Sequence, residues 1–124
     1  MDLEFYRDGW ADKPDPLFSE PELERELKDH VFQMAGEIGE RNFQDYASLQ
    51  QAIAYIESYW TNVGFDVRHQ YYDIGEQQFT NLSVEIKGAS RPDEVVVVGA
   101  HYDTIIGTPG ADDNGSAVAA LLAL

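Results

Sequence analysis

Residues 95–114 constrain this chain more than any other stretch. They read Val-Val-Val-Val-Gly-Ala-His-Tyr-Asp-Thr, then Ile-Ile-Gly-Thr-Pro-Gly, then Ala-Asp-Asp-Asn. Four consecutive β-branched residues, Val95, Val96, Val97 and Val98, followed by Gly99 and Ala100, predict a strand covered on both faces. Such a strand implies helices packed on a sheet, so the predicted class is α/β. The run ends in His101, Tyr102 and Asp103, and the composition then turns to Gly, Pro and Asp. Open α/β sheets place their sites at the carboxyl ends of strands.

The spacing in His101-Tyr102-Asp103 has a physical meaning. Residues two apart on a strand point to the same side. Asp103 can accept one ring N–H of His101 and leave the other nitrogen free for a metal. That arrangement orients the imidazole and raises its basicity. The plainer reading is a buried His satisfied by its neighbouring Asp.

Asp112 and Asp113 lie in the Gly-rich turn Pro109-Gly110-Ala111-Asp112-Asp113-Asn114-Gly115-Ser116, just before an apolar helix-like run over residues 117–124. A solvated loop with an Asp or Asn as helix cap would suit this turn. The functional reading makes one Asp a metal ligand and the other its support. A carboxylate has two oxygens and can bridge two ions about 3.5–4 Å apart, as in two-metal hydrolases.

Gly99-Ala100-His101-Tyr102-Asp103-Thr104 and the turn from Pro109 to Ser116 resemble, in order and at family spacing, the signature of the M28 peptidases. These are co-catalytic zinc aminopeptidases and carboxypeptidases. The resemblance implies that His101 ligates one zinc, Asp103 orients His101, and Asp113 bridges both zincs. It also implies a cis peptide bond after Asp113. Ala117 departs from the family pattern, which usually has Gly after the Ser. It implies a three-layer αβα sandwich around a mixed sheet, of which residues 1–124 would be a single partial domain, the N-terminal part of a peptidase catalytic domain. The family's Glu general base, an adjacent Glu ligand, a further acidic ligand and a second His would follow Leu124.

The function so implied is metal-dependent hydrolysis of peptide bonds, with removal of N-terminal residues from peptides by a two-zinc mechanism. The chain alone is expected to be inactive. The alternatives are a non-catalytic binding domain of the same fold and a member resembling glutaminyl cyclases. The partner implied is a peptide substrate. A truncated sheet would also expose one face and an edge strand, which favours self-association.

Charge narrows the partners further. The formal net charge is −15, from 23 Asp and Glu against 8 Lys and Arg. This argues against nucleic acid. There are no cysteines, so neither disulfides nor thiolate metal sites are available. No signal peptide and no transmembrane segment is visible in this chain, and no compartment is indicated.

In chain order, residues 1–18 predict an extended lead-in. Ser19 and Glu22 form a capping-box pattern. Leu23, Leu27, Val31, Met34 and Ile38 then recur at helical spacing, with Gly39 as the stop. Gly39-Glu40-Arg41 resembles an element near the start of these peptidases. Read from the residues alone, it is a helix end with a Glu37–Arg41 surface pair, worth on the order of a few tenths of a kcal/mol. Leu49, Ile53, Ile56, Trp60 and Val63 predict a second helix ending at Gly64. Residues 65–74 and the alternating Leu82, Val84 and Ile86 predict an antiparallel hairpin about a turn at residues 75–78. His30 and His69 are read as structural, with no carboxylate at ligand spacing.

Overall fold

The computed structural model describes residues 19–124. The lead-in expected over residues 1–18 lies outside the described residues. The described residues form a small mixed α/β unit with a two-stranded sheet and three helices.

Helix α1 spans Glu20–Val31 and runs directly into a π-helical segment, Phe32–Ile38. Its start follows the expected pattern. The Glu22 carboxylate accepts from the Ser19 backbone N–H at 3.0 Å and from the Ser19 hydroxyl at 2.6 Å. The π segment ends at Gly39, whose φ of 77° is the left-handed conformation that favours glycine. The Gly39 N–H reaches back to the Met34 carbonyl at 3.1 Å, five residues away, which widens this last turn. The apolar face read from the sequence is buried at Met34, whereas Leu23 near the helix start is exposed.

Helix α2, Tyr46–Asn62, is capped by Asp45, whose side chain accepts from the Ser48 N–H at 3.2 Å. Leu49, Ala52, Ile53, Ile56 and Trp60 are buried, as their spacing predicts. Val63 is exposed, because the helix has already ended there. Strands β1 (Arg68–Ile74) and β2 (Gln77–Ser83) form the antiparallel hairpin, with Ile74 opposite Gln77. The turn is only Gly75-Glu76, and Gly75 supplies the positive φ, 62°, that two-residue hairpins require. The short helix α3, Ser116–Leu122, buries Val118, Ala119 and Leu122.

Met34, Ala52, Ile56, Trp60, Val118 and Leu122 form one core cluster. Full burial of each larger member stabilises by roughly 1.5–3 kcal/mol. Seven residues of α3 would be marginal alone, so this packing holds the helix in place.

The strand expected at residues 95–100 does not form. Val95, Val96, Val97 and Val98 are 82%, 87%, 86% and 61% exposed. They line, with residues 83–88 and side chains of α2 and α3, a cavity of about 720 Å³. The reason is a missing neighbour. A two-faced strand is buried only between paired strands and helices on both sides. Among the described residues the sheet is the β1–β2 hairpin alone. Among the described residues, no helix is long and apolar enough to cross a membrane.

Candidate metal centre

The backbone from His101 to Thr104 alternates as read from the sequence. His101 and Asp103 are exposed on one side, while Tyr102 is half-buried and Thr104 buried on the other. Tyr102 anchors the segment, its hydroxyl donating to the Thr80 carbonyl on β2 at 2.6 Å. Burial, foremost, pushes the Tyr102 hydroxyl up to about 12, with nearby Tyr72 and Asp103 adding to it.

The structure brings the three expected residues together. His101 Nε2 lies 3.0 Å from Asp113 Oδ1, and His101 Nδ1 lies 3.3 Å from Asp103 Oδ1. Nδ1 is also 3.2 Å from the Asp103 carbonyl. The imidazole is therefore gripped on one nitrogen by residue 103 and faces Asp113 with the other. All three side chains are more than half exposed, so the centre is open to solvent.

The turn that delivers Asp113 spans Ala111–Gly115 and leads straight into α3. Asp113 and Asn114 have non-helical backbone there, and the bond between them is cis, as the resemblance implies. Gly110 takes a φ of 60°. A Cβ on Gly110 would lie 2.3 Å from Thr104 Cγ2 and 2.7 Å from the Asp113 carbonyl oxygen. This position admits only glycine, for both reasons.

The donor set suits zinc in kind. One imidazole nitrogen and one carboxylate oxygen, each bonded to a tetrahedral zinc at ~2.0–2.2 Å, sit ~3.3 Å apart. The 3.0 Å between Nε2 and Oδ1 is close to that span. The set is small, since no group of three or more His, Cys, Asp or Glu poised for a metal occurs among the described residues.

Arg41 is the residue that the sequence reading misplaced. It is not half of a surface pair with Glu37. It is fully buried, and Glu37 is exposed. Its guanidinium donates to the carbonyls of Met34, Gly39, Tyr102, Pro109 and Gly110. Burial lowers its pKa, and nearby Asp103 opposes that shift. A surface ion pair at helical spacing was the local expectation, but the chain bends after Gly39 and carries Arg41 inward. The resemblance of Gly39-Glu40-Arg41 to a family element was the sequence signal that could have found it.

The other histidines gain neighbours that spacing did not show. His69 Nε2 lies 3.1 Å from Glu57 Oε1, brought there by α2 packing on the hairpin. His30 Nδ1 pairs with the Tyr55 hydroxyl at 2.6 Å.

Residues 81–124, which contain His101, Asp103 and Asp113, match the sequence model of Peptidase family M28. The chain is 29% identical over 117 residues to the uncharacterized protein YfbL of Escherichia coli, covering 88% of this chain and 35% of that protein. It is 32% identical over 54 residues to the probable aminopeptidase YDR415C of Saccharomyces cerevisiae, covering 38% of this chain and 14% of that protein. The chain thus spans about a third or less of the curated relatives it matches. No solved structure matches significantly. Residues 81–124, which carry the candidate site, are thus similar to peptidase family M28.

Proposed function

We propose that this chain supplies the first ligands of a two-zinc centre that hydrolyses peptide bonds, removing N-terminal residues from peptides. The observation that carries the reading is His101 held between Asp103 and Asp113 within the segment that matches the peptidase family. The likeness to a probable aminopeptidase favours the amino end of the peptide. The three-layer αβα sandwich, with residues 1–124 as its N-terminal part, belongs to the same proposal.

The residues have distinct tasks. His101 would hold one ion through Nε2, and Asp113 would present its carboxylate to the same ion and to a second. Asp103 would fix the orientation of the imidazole through Nδ1. When bound, zinc would polarise the scissile carbonyl and make water a nucleophile near neutral pH. The exposure of all three side chains leaves room for an extended peptide to approach.

A non-catalytic binding domain of the same fold is the second reading, favoured by the two-donor set. A catalytic zinc ordinarily keeps three protein ligands, so the chain by itself should bind zinc weakly and turn over no peptide. Calorimetric titration should show weak binding that His101→Ala and Asp113→Ala abolish, with Asp103→Ala weakening it about 10–100-fold. Incubation with aminoacyl p-nitroanilides and zinc should give only the metal blank. Tight binding that survives His101→Ala would reject these ligands. Turnover lost in Asp113→Ala would reject the inactivity of the chain alone.

A further inference from the structure

Arg41 is fully buried, and a buried guanidinium is tolerated only when its N–H groups are paired. Here the partners are backbone carbonyls. Nε donates to Tyr102 at 2.5 Å. Nη1 faces Met34 at 3.0 Å, Gly39 at 2.9 Å and Pro109 at 2.7 Å. Nη2 donates to Gly110 at 3.0 Å. The Arg41 backbone joins the same region, with N–H to Thr104 Oγ1 at 3.1 Å and its carbonyl accepting from the Thr104 N–H at 2.8 Å.

These carbonyls come from three separate places. Met34 lies within the π segment and Gly39 caps its end. Tyr102 stands between His101 and Asp103. Pro109 and Gly110 begin the turn that delivers Asp113. One planar cation therefore ties the two segments bearing the candidate ligands to each other and to the π segment.

We propose that Arg41 is the positioning residue of the metal centre, setting the span between His101 and Asp113. The proposal rests on the metal reading above. The fork shape of the guanidinium is what the task needs. Five N–H groups in a fixed plane can reach carbonyls on several sides, whereas a lysine ammonium offers three donors at one point. The surroundings leave little slack for another head group. A Cβ on Gly110 or Gly115 would lie 3.3 Å or 3.5 Å from Nη2.

The test uses the full chain as wild type, Arg41→Lys and Arg41→Ala. Zinc binding is followed through the His101 ring resonances, and amide exchange is read over residues 101–115 and over α2. Arg41→Lys should weaken zinc binding about tenfold or more, the range for lost support of a ligand. Exchange should accelerate over residues 101–115 while α2 stays as in wild type. Millimolar guanidinium ion should restore both properties to Arg41→Ala. Equal loss of protection in α2 would make Arg41 a residue of the fold only, and overturn the proposal. So would an Arg41→Lys variant that binds zinc as wild type does. If zinc leaves His101 unshifted in the wild-type chain, the metal reading itself fails. Should both variants not fold, the wild-type Arg41 Nε–H and Nη–H resonances are read during the zinc titration. They should move together with His101, and their indifference would overturn the assignment.

Discussion

At the scale of single residues, Gly110 shows how closely the two site segments approach. Its φ of 60° disfavours any side chain, and a Cβ there would collide with Thr104 and with the Asp113 carbonyl. The Asp113 carbonyl is backbone and cannot rotate away. Gly110→Ala should therefore lower stability by about 1–3 kcal/mol, read as a lower urea midpoint at an unchanged m-value. A midpoint equal to wild type would show that the turn relaxes freely. Asp103 was legible as a candidate from strand alternation, and Asp113 as one of two carboxylates in a Gly-rich turn, singled out by the family resemblance. Arg41 was not legible, since every carbonyl it contacts except Gly39 lies seven or more residues away.

At the scale of elements, α1 and α2 meet around His30. The ring is buried, its Nδ1 is paired with Tyr55, and it packs edge-on against Tyr59 with centroids 4.5 Å apart. Nε2 has no hydrogen-bond partner among the described residues, and Glu26 Oε1 is 3.8 Å away. Burial, the larger effect, lowers the His30 pKa below its ordinary 6.5, and the charges of Glu26 and Asp29 oppose it. The folded chain thus binds this proton less readily than the unfolded chain. The stability contributed is fully present above about 6.5 and is lost as the pH falls through the lower folded value. Unfolding midpoints measured from pH 8 down to pH 5 should fall for wild type. The fall should be shallower in His30→Gln, and identical slopes would remove His30 as the cause. The same helix pair shows how the readings divide. The caps and the α2 face were legible because they depend on residues three or four apart. The π turn and the burial of His30 were not, because both depend on what packs from across the fold.

At the scale of the whole molecule, the dominant feature is an apolar run left outside the core. Val95, Val96 and Val97 are each more than four-fifths exposed. A contiguous β-branched surface favours association, above all where backbone groups lack ladder partners. The net charge of −15 opposes it through mutual repulsion. The expected outcome is association that grows with concentration and with salt, measured by light scattering after size exclusion. Val96→Lys should shift the chain toward monomer. A wild-type chain that stays monomeric at high salt and high concentration would contradict this.

The sequence by itself determined the helices, the hairpin and the pairing of His101 with Asp103, because each follows from spacing along the chain. It also carried the resemblance that the family match over residues 81–124 upholds. Only the tertiary structure decided where residues 95–98 lie and what Arg41 does. A strand is buried by its neighbours, and among the described residues the hairpin pairs only with itself. A guanidinium is buried by the carbonyls that converge on it, and those of Tyr102, Pro109 and Gly110 lie more than sixty residues further along the chain. Both outcomes depend on partners distant in sequence, which local periodicity does not encode.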